Sequence, residues 1–209
     1  MIFPSQFSAR ARFVASTAAL SIALGCAPWL EASMLRHMFI QFPLLLLCGW
    51  LLSGPLAKPS WPRRLDEYGI TGLTLLLFVS AYWMIPRALE MSLTSHIAQA
   101  GKVASLILLG ALLPGSLSRS PWVVQLFFLG NFGAMMAIAG IQYQNMPQRL
   151  CNAYLLDDQN LTGVALVMAS ILISILWCAR LAPIISFQVS ENANVASKAE
   201  SRIDKITRP

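Results

Sequence analysis

The sequence predicts an all-α integral membrane protein, a bundle of about six transmembrane helices with both termini in the cytoplasm. Three observations carry this expectation. Of the 209 residues, 56% are hydrophobic and 11% are charged, where a soluble domain carries about a quarter charged residues. The mean hydropathy is +0.62, and the apolar residues gather into runs close to the roughly 20 residues that cross a bilayer as a helix. Most Lys and Arg residues fall on one side of the membrane once those runs are laid out as spans. This balance excludes a soluble enzyme. Six spans leave room for short loops and a tail but for no separate extramembrane domain, so any chemistry must lie in the bundle or at its faces.

The first span is expected from about Arg12 to Trp29. Its charged flank and apolar centre also fit a secretory signal, with Cys26 at a lipoprotein-like position. Ala27, Pro28 and Trp29 lead into another apolar run rather than into a polar domain, which favours a retained helix. The next spans are expected at about 34–53, 68–85, 95–113, 122–143 and 161–181. Pro55, Pro59, Pro62, Pro86, Pro114, Pro121, Pro147 and Pro183 then fall at or beyond helix ends, where a missing amide donor does least harm. Pro43 alone sits inside a span and should kink or open it near Phe39. These spans make a transmembrane domain over residues 1–187. Beyond Phe187 large apolar residues become sparse and charges of both signs alternate, so 188–209 reads as a flexible cytoplasmic tail or a short surface helix.

Eleven cationic residues (Arg10, Arg12, Lys58, Arg63, Arg64, Arg119, Arg180, Lys198, Arg202, Lys205 and Arg208) fall on one side of these spans and four (Arg36, Arg87, Lys102 and Arg149) on the other. Positive charge marks the cytoplasmic flank, which places both termini inside. The net charge of +6 is thus a topology signal and gives no ground for nucleic-acid binding. The segment from Pro59 to Arg64 would rest on the anionic inner surface with Trp61 as its interfacial anchor.

Orientation gathers the polar residues. His37, Met38 and Gln41 fall in the outer part of the second span, His96 and Gln99 at the outer start of the fourth, and Met84 and Met91 after the third. Asp157, Asp158 and Gln159 precede the sixth. Imidazole and thioether are the donors that hold copper, and a carboxylate can ligate or fix an imidazole tautomer. His37, Met38, His96, Met84, Met91 and Asp158 are therefore the candidate metal ligands, with copper the candidate metal. The two histidines are equally readable as interfacial groups that snorkel to water or bond between helices. His37 and Gln41 share a helical face while Met38 points about 100° away, so a compact site using both His37 and Met38 needs the Pro43 irregularity or ligands facing different helices. No HExxH, CxxC or CxxCH spacing adds to the metal case. Cys26 and Cys151 lie toward the outer face, where they could pair, bind copper or stand alone. Lys102 is expected to snorkel or to pair with Glu90, Asp157 or Asp158. Asn131 and Gln142 should find interhelical partners, with Gly130, Gly133 and Gly140 allowing close helix approach. No nucleophile with its base, phosphate loop or redox-cofactor signature is present, and a non-enzyme is expected.

Met34-Leu35-Arg36-His37-Met38, then Pro43-Leu44-Leu45, Trp83-x-x-Pro86, His96, and Asp158-Gln159-x-x-x-Gly163 resemble, in order, the bacterial CtaG family of multi-spanning cytochrome c oxidase assembly factors. The resemblance covers roughly residues 33–170. It implies a membrane assembly factor that assists copper delivery or insertion into a respiratory or related cuproenzyme at the periplasmic face. It points to His37, Met38, His96, Asp158 and Gln159. Ser33 stands where the family often has a further histidine, and Leu166 to Ala169 lack its Met-Trp pair. The alternative is a non-catalytic structural subunit of a larger membrane complex without its own metal. Membrane lipids and a respiratory or other copper-dependent complex are the expected partners.

Overall fold

A computed structural model describes residues 8–56 and 66–207. Every regular element among them is helical. The chain runs through α1 (Ala9–Gly25), α2 (Ala27–Leu30), α3 (Met34–Arg36), a π-helical turn (His37–Gln41), α4 (Phe42–Leu56), α5 (Ile70–Trp83), α6 (Pro86–Thr94), α7 (His96–Arg119), α8 (Trp122–Asn145) and α9 (Leu156–Thr207). The contacts divide it into two units, Met1–Ile171 and Leu172–Pro209. The basic segment from Pro59 to Arg64, with Trp61, lies outside the described residues.

Four stretches are long and apolar enough to cross a membrane: Met34–Ser53, His96–Arg119, Trp122–Asn145 and Leu156–Arg180. A fifth forms if α5 and α6 are one span, broken by a 76° bend. The bend falls where Met84 and Ile85 end α5 and Pro86 opens α6, because proline suits a first helical turn but cannot continue one. The expected first span appears as α1, whose 17 residues stop at Gly25 and are followed by the short α2, with Pro28 in its first turn. At about 1.5 Å per residue α1 is shorter than the hydrocarbon layer.

The opening expected at Pro43 is present and lies just before it. In the turn His37–Gln41 the Phe42 N–H reaches back five residues to His37 O. Proline has no N–H to donate and its ring crowds the carbonyl four residues back, so a wide turn absorbs the mismatch. Two prolines depart from expectation, because Pro114 lies inside α7 and Pro183 inside α9. The apolar run ends near Leu113, yet the helix continues because its last turn carries Ser116 and Arg119, which grip Asp66. The residues expected as a tail extend α9 to Thr207.

The first unit packs α4 between α1 and α7. A Cβ on Gly49 would lie 2.0 Å from Ile107 O, and one on Gly110 would lie 2.1 Å from Leu46 O, so the two backbones touch at that crossing. Leu45, Trp83, Leu106 and Ala23 fill the core above it. A second reciprocal pair, Gly140 and Gly163, brings α8 against the start of α9, where a Cβ on either would lie 2.6 Å from the other's carbonyl oxygen.

Candidate functional site: a buried charged network

Among the described residues Lys102 is the largest side chain that is fully buried, placed on α7 about two turns from its start. An ammonium has three N–H donors and no acceptor, and inside an apolar bundle each donor needs a partner. All three are met: Glu31 Oε1 at 2.9 Å, His37 Nε2 at 2.8 Å and Gln41 Oε1 at 3.0 Å. Because the ammonium can only donate, His37 Nε2 is the acceptor. Its proton therefore sits on Nδ1, which donates to Tyr154 Oη at 2.7 Å. The π-helical turn makes this possible by turning His37 and Gln41 toward α7 together, both fully buried.

Glu31 lies in the bend between α2 and α3 and concentrates the negative charge. Its Oε1 also accepts from Gln41 Nε2 at 2.9 Å and Gln99 Nε2 at 2.8 Å. Burial pushes the Glu31 carboxyl up, but the hydrogen bonds from Lys102, Gln99 and Gln41 and the Lys102 charge outweigh it and hold its pKa below the ordinary carboxylate value. Gln41 Nε2 reaches Ala23 O of α1 at 3.3 Å. Burial raises the Tyr154 hydroxyl above its usual range, with the charges of Cys151, Glu31 and Asp158 acting in the same direction. One lysine thus joins α1, the α2–α3 bend, the π turn, α7 and the segment before α9.

The other sequence-predicted residues take separate positions. Met38 is buried beside His37 in the chain. Asp158 accepts from Ser33 Oγ at 2.8 Å and from the Met34 N–H, so the first turn of α9 caps the start of α3. Gln159 ties the chain before α9 to α8, accepting from Leu150 N at 2.9 Å and donating to Tyr143 O at 3.0 Å. Met84 is half-buried, and its carbonyl accepts from Tyr143 Oη. Met91 and His96 are exposed. Lys102 pairs with Glu31 rather than with Glu90, Asp157 or Asp158. Cys26 and Cys151 are free thiols, the first exposed and the second buried.

Two of the six candidate copper ligands already have protein partners at their donor atoms. Both nitrogens of His37 are engaged, and Asp158 is committed to a backbone cap. Among the described residues no three His, Cys, Asp or Glu side chains are placed to hold a metal ion.

Glu31 and Tyr154 escaped the sequence reading. The signal for Glu31 was Lys102 itself, since a cation inside an apolar window implies a buried partner. Its distance of 71 residues along the chain hid which carboxylate that was. Asp66 was missed as well. Its Oδ1 accepts from the Thr71 and Gly72 N–H groups at 3.0 and 3.3 Å, and its Oδ2 accepts from Ser116 and Arg119. Burial pushes the Asp66 carboxyl up, and the bonds from Ser116, Arg119 and Gly72 with the Arg119 charge more than reverse that, leaving it below its ordinary value. Compared with family models, curated proteins and solved structures, the chain finds no match in any of the three.

Proposed function

We propose that the chain is a non-catalytic, multi-pass subunit of a larger membrane complex, with a protein-only charged network where a metal centre would need open donors. The observation that carries this reading is the engagement of His37 on both sides, by Lys102 at 2.8 Å and Tyr154 at 2.7 Å, which leaves its ring no free lone pair. The proposed topology counts six spans: the four long apolar stretches, the bent pair α5 and α6, and α1. Both termini are cytoplasmic, a reading supported by eleven cationic residues on one side against four on the other, and the bacterial inner membrane is the location that the resemblance to the CtaG family implies.

A second reading is assistance in copper delivery or insertion into a respiratory or related cuproenzyme at the periplasmic face. It rests on the resemblance to the CtaG family and on His37 and Met38, both buried on one π-helical turn. Copper is cargo in this reading, and Lys102 has to leave His37 before the ring is free. Purification of the tagged chain from its native membrane separates the two. The subunit reading expects a membrane polypeptide at fixed ratio and copper far below equimolar. Equimolar copper that is lost in His37→Ala overturns it in favour of the second reading, and the absence of any fixed-ratio partner overturns it outright.

A further inference from the structure

Asn131 interrupts the apolar middle of α8. Asn131 is the tenth of the 24 residues in Trp122–Asn145 and is exposed. It stands within one turn of the middle of that span. Its Nδ2 donates to Phe127 O on the same helix at 2.7 Å. The interhelical partner that a buried amide would take is not supplied by the described residues. An amide has two N–H donors and a carbonyl, so its second N–H and its Oδ1 have no partner among the described residues, an arrangement that a membrane span disfavours.

Beside this amide lies a groove of about 370 Å³ between the end of α5 and the middle of α8, lined by Ala81, Met84, Ile85, Ala134, Met135 and Ile138. Asn131 lies on its rim. One residue earlier, a Cβ on Gly130 would meet nothing within 4 Å, so a backbone can approach there closely. The face therefore combines a depression, an open approach and an unmet hydrogen-bonding group at mid-membrane depth.

We propose that this groove receives a transmembrane helix of a different polypeptide, which presents a Ser, Thr, Asn or Gln side chain to Asn131 and large aliphatic side chains to the groove. The proposal rests on the reading of the chain as a subunit and names the surface by which it joins its complex. A lipid acyl chain fills a groove but brings no donor for the amide. A second copy would bring its own amide at equal depth, and the mass of the cross-linked adduct separates it from a different polypeptide.

A photo-reactive benzoylphenylalanine at Ile138, in the otherwise intact chain in its native membrane, tests this. The expected product is an adduct with a distinct membrane polypeptide, mapped to an apolar span with Ser, Thr, Asn or Gln at the level of Asn131. The same probe at Leu108, exposed on α7, should not give it. Asn131→Leu should lower the yield roughly three- to tenfold, the range an interhelical hydrogen bond is worth, while Asn131→Gln keeps it. Ala134→Trp should abolish it by filling the groove. Because the tryptophan could disturb folding, the Leu and Gln variants decide the matter, with helicity and thermal midpoint checked for each. Adducts with lipid alone or with a second copy overturn the proposal, as does a yield indifferent to Asn131→Leu. A fixed-ratio partner whose adduct maps away from the groove overturns the surface but leaves the subunit reading standing. No fixed-ratio partner overturns both.

Discussion

Helix α7 carries an ion pair toward each end, about 25 Å apart along its axis, and the two pairs obey different rules. At one end Lys102 has 0% of its side chain exposed and Glu31 has 16%, and amides, an imidazole and a phenol close around them. At the other end Arg119 keeps 27% exposure beside Asp66 at 8%. The Asp66 pair is an elaborated helix cap. Its carboxylate holds the first N–H groups of α5, and Gly69 turns into that helix with φ +72°, where a side chain would strike Ser116 O. Each of its parts has a local reason to be there. The Lys102 network has no such local reason: it places a charge inside the bundle and then takes partners from five parts of the chain to compensate it. Buried charge of this kind adds little net stability but is costly to break, and it fixes one arrangement of the elements that supply the partners.

The largest expected effects follow from that asymmetry. Glu31→Ala should destabilise the protein by about 3–5 kcal/mol in a thermal or denaturant titration in detergent, because it leaves Lys102 charged and buried. Removing both charges, as Glu31→Leu with Lys102→Met, should return most of that loss, since apolar replacement of a buried pair is often neutral. Arg119→Met should cost no more than about 1 kcal/mol, because its partner keeps other donors and the guanidinium is partly solvated. If Glu31→Ala and Arg119→Met cost the same, the contrast between the two ends is broken.

The sequence disclosed this molecule unevenly, and the reason is the range of the forces involved. The span Met34–Ser53 was legible to the residue because hydropathy is a sum over neighbours. The irregular turn before Pro43 was legible because proline acts on the four residues behind it. The length of α1 was not, since Gly25 and Pro28 end it within a run that stays apolar. Nor was the passage of α7 through Pro114, which is held by Asp66 from 50 residues away. For the candidate site, His37, Gln41, Gln99 and Lys102 were singled out by polarity inside apolar segments. Their convergence was hidden because it depends on which helices pack together. His96 and Met91 were grouped with His37 by membrane depth alone, and depth does not say which way a side chain faces.

A smaller effect tests whether the Lys102 end depends on the helix crossing beneath it. Gly110→Leu places side-chain atoms where the Leu46 carbonyl already stands, 2.1 Å from an added Cβ, and should cost about 1–3 kcal/mol through forced separation of α4 and α7. Gly130→Leu meets open space and should leave the stability of the isolated chain nearly unchanged. Equal costs at both glycines would show that the close approach of α4 to α7 is not what positions Gln41 against Lys102.

The smallest expected effect separates the two carboxylates by pH. Both have folded pKa values below their ordinary values of 4.5 for Glu31 and 3.8 for Asp66. A depressed carboxyl pKa gives stability that is complete above the ordinary value and is lost as pH falls through the folded one. The acid limb should therefore begin below pH 4.5 with Glu31 and steepen below pH 3.8 with Asp66. Each titrating group can add at most about 1.4 kcal/mol per pH unit. Asp66→Asn removes one of these groups and should make the lower part of the limb shallower. Stability measured from pH 6 to pH 2.5 for Asp66→Asn and the unaltered chain decides it. Identical acid limbs for Asp66→Asn and the unaltered chain would mean that the cap is held by its backbone N–H bonds alone. The charge on Arg119 would then be incidental, and the two ends of α7 would differ in kind rather than in degree.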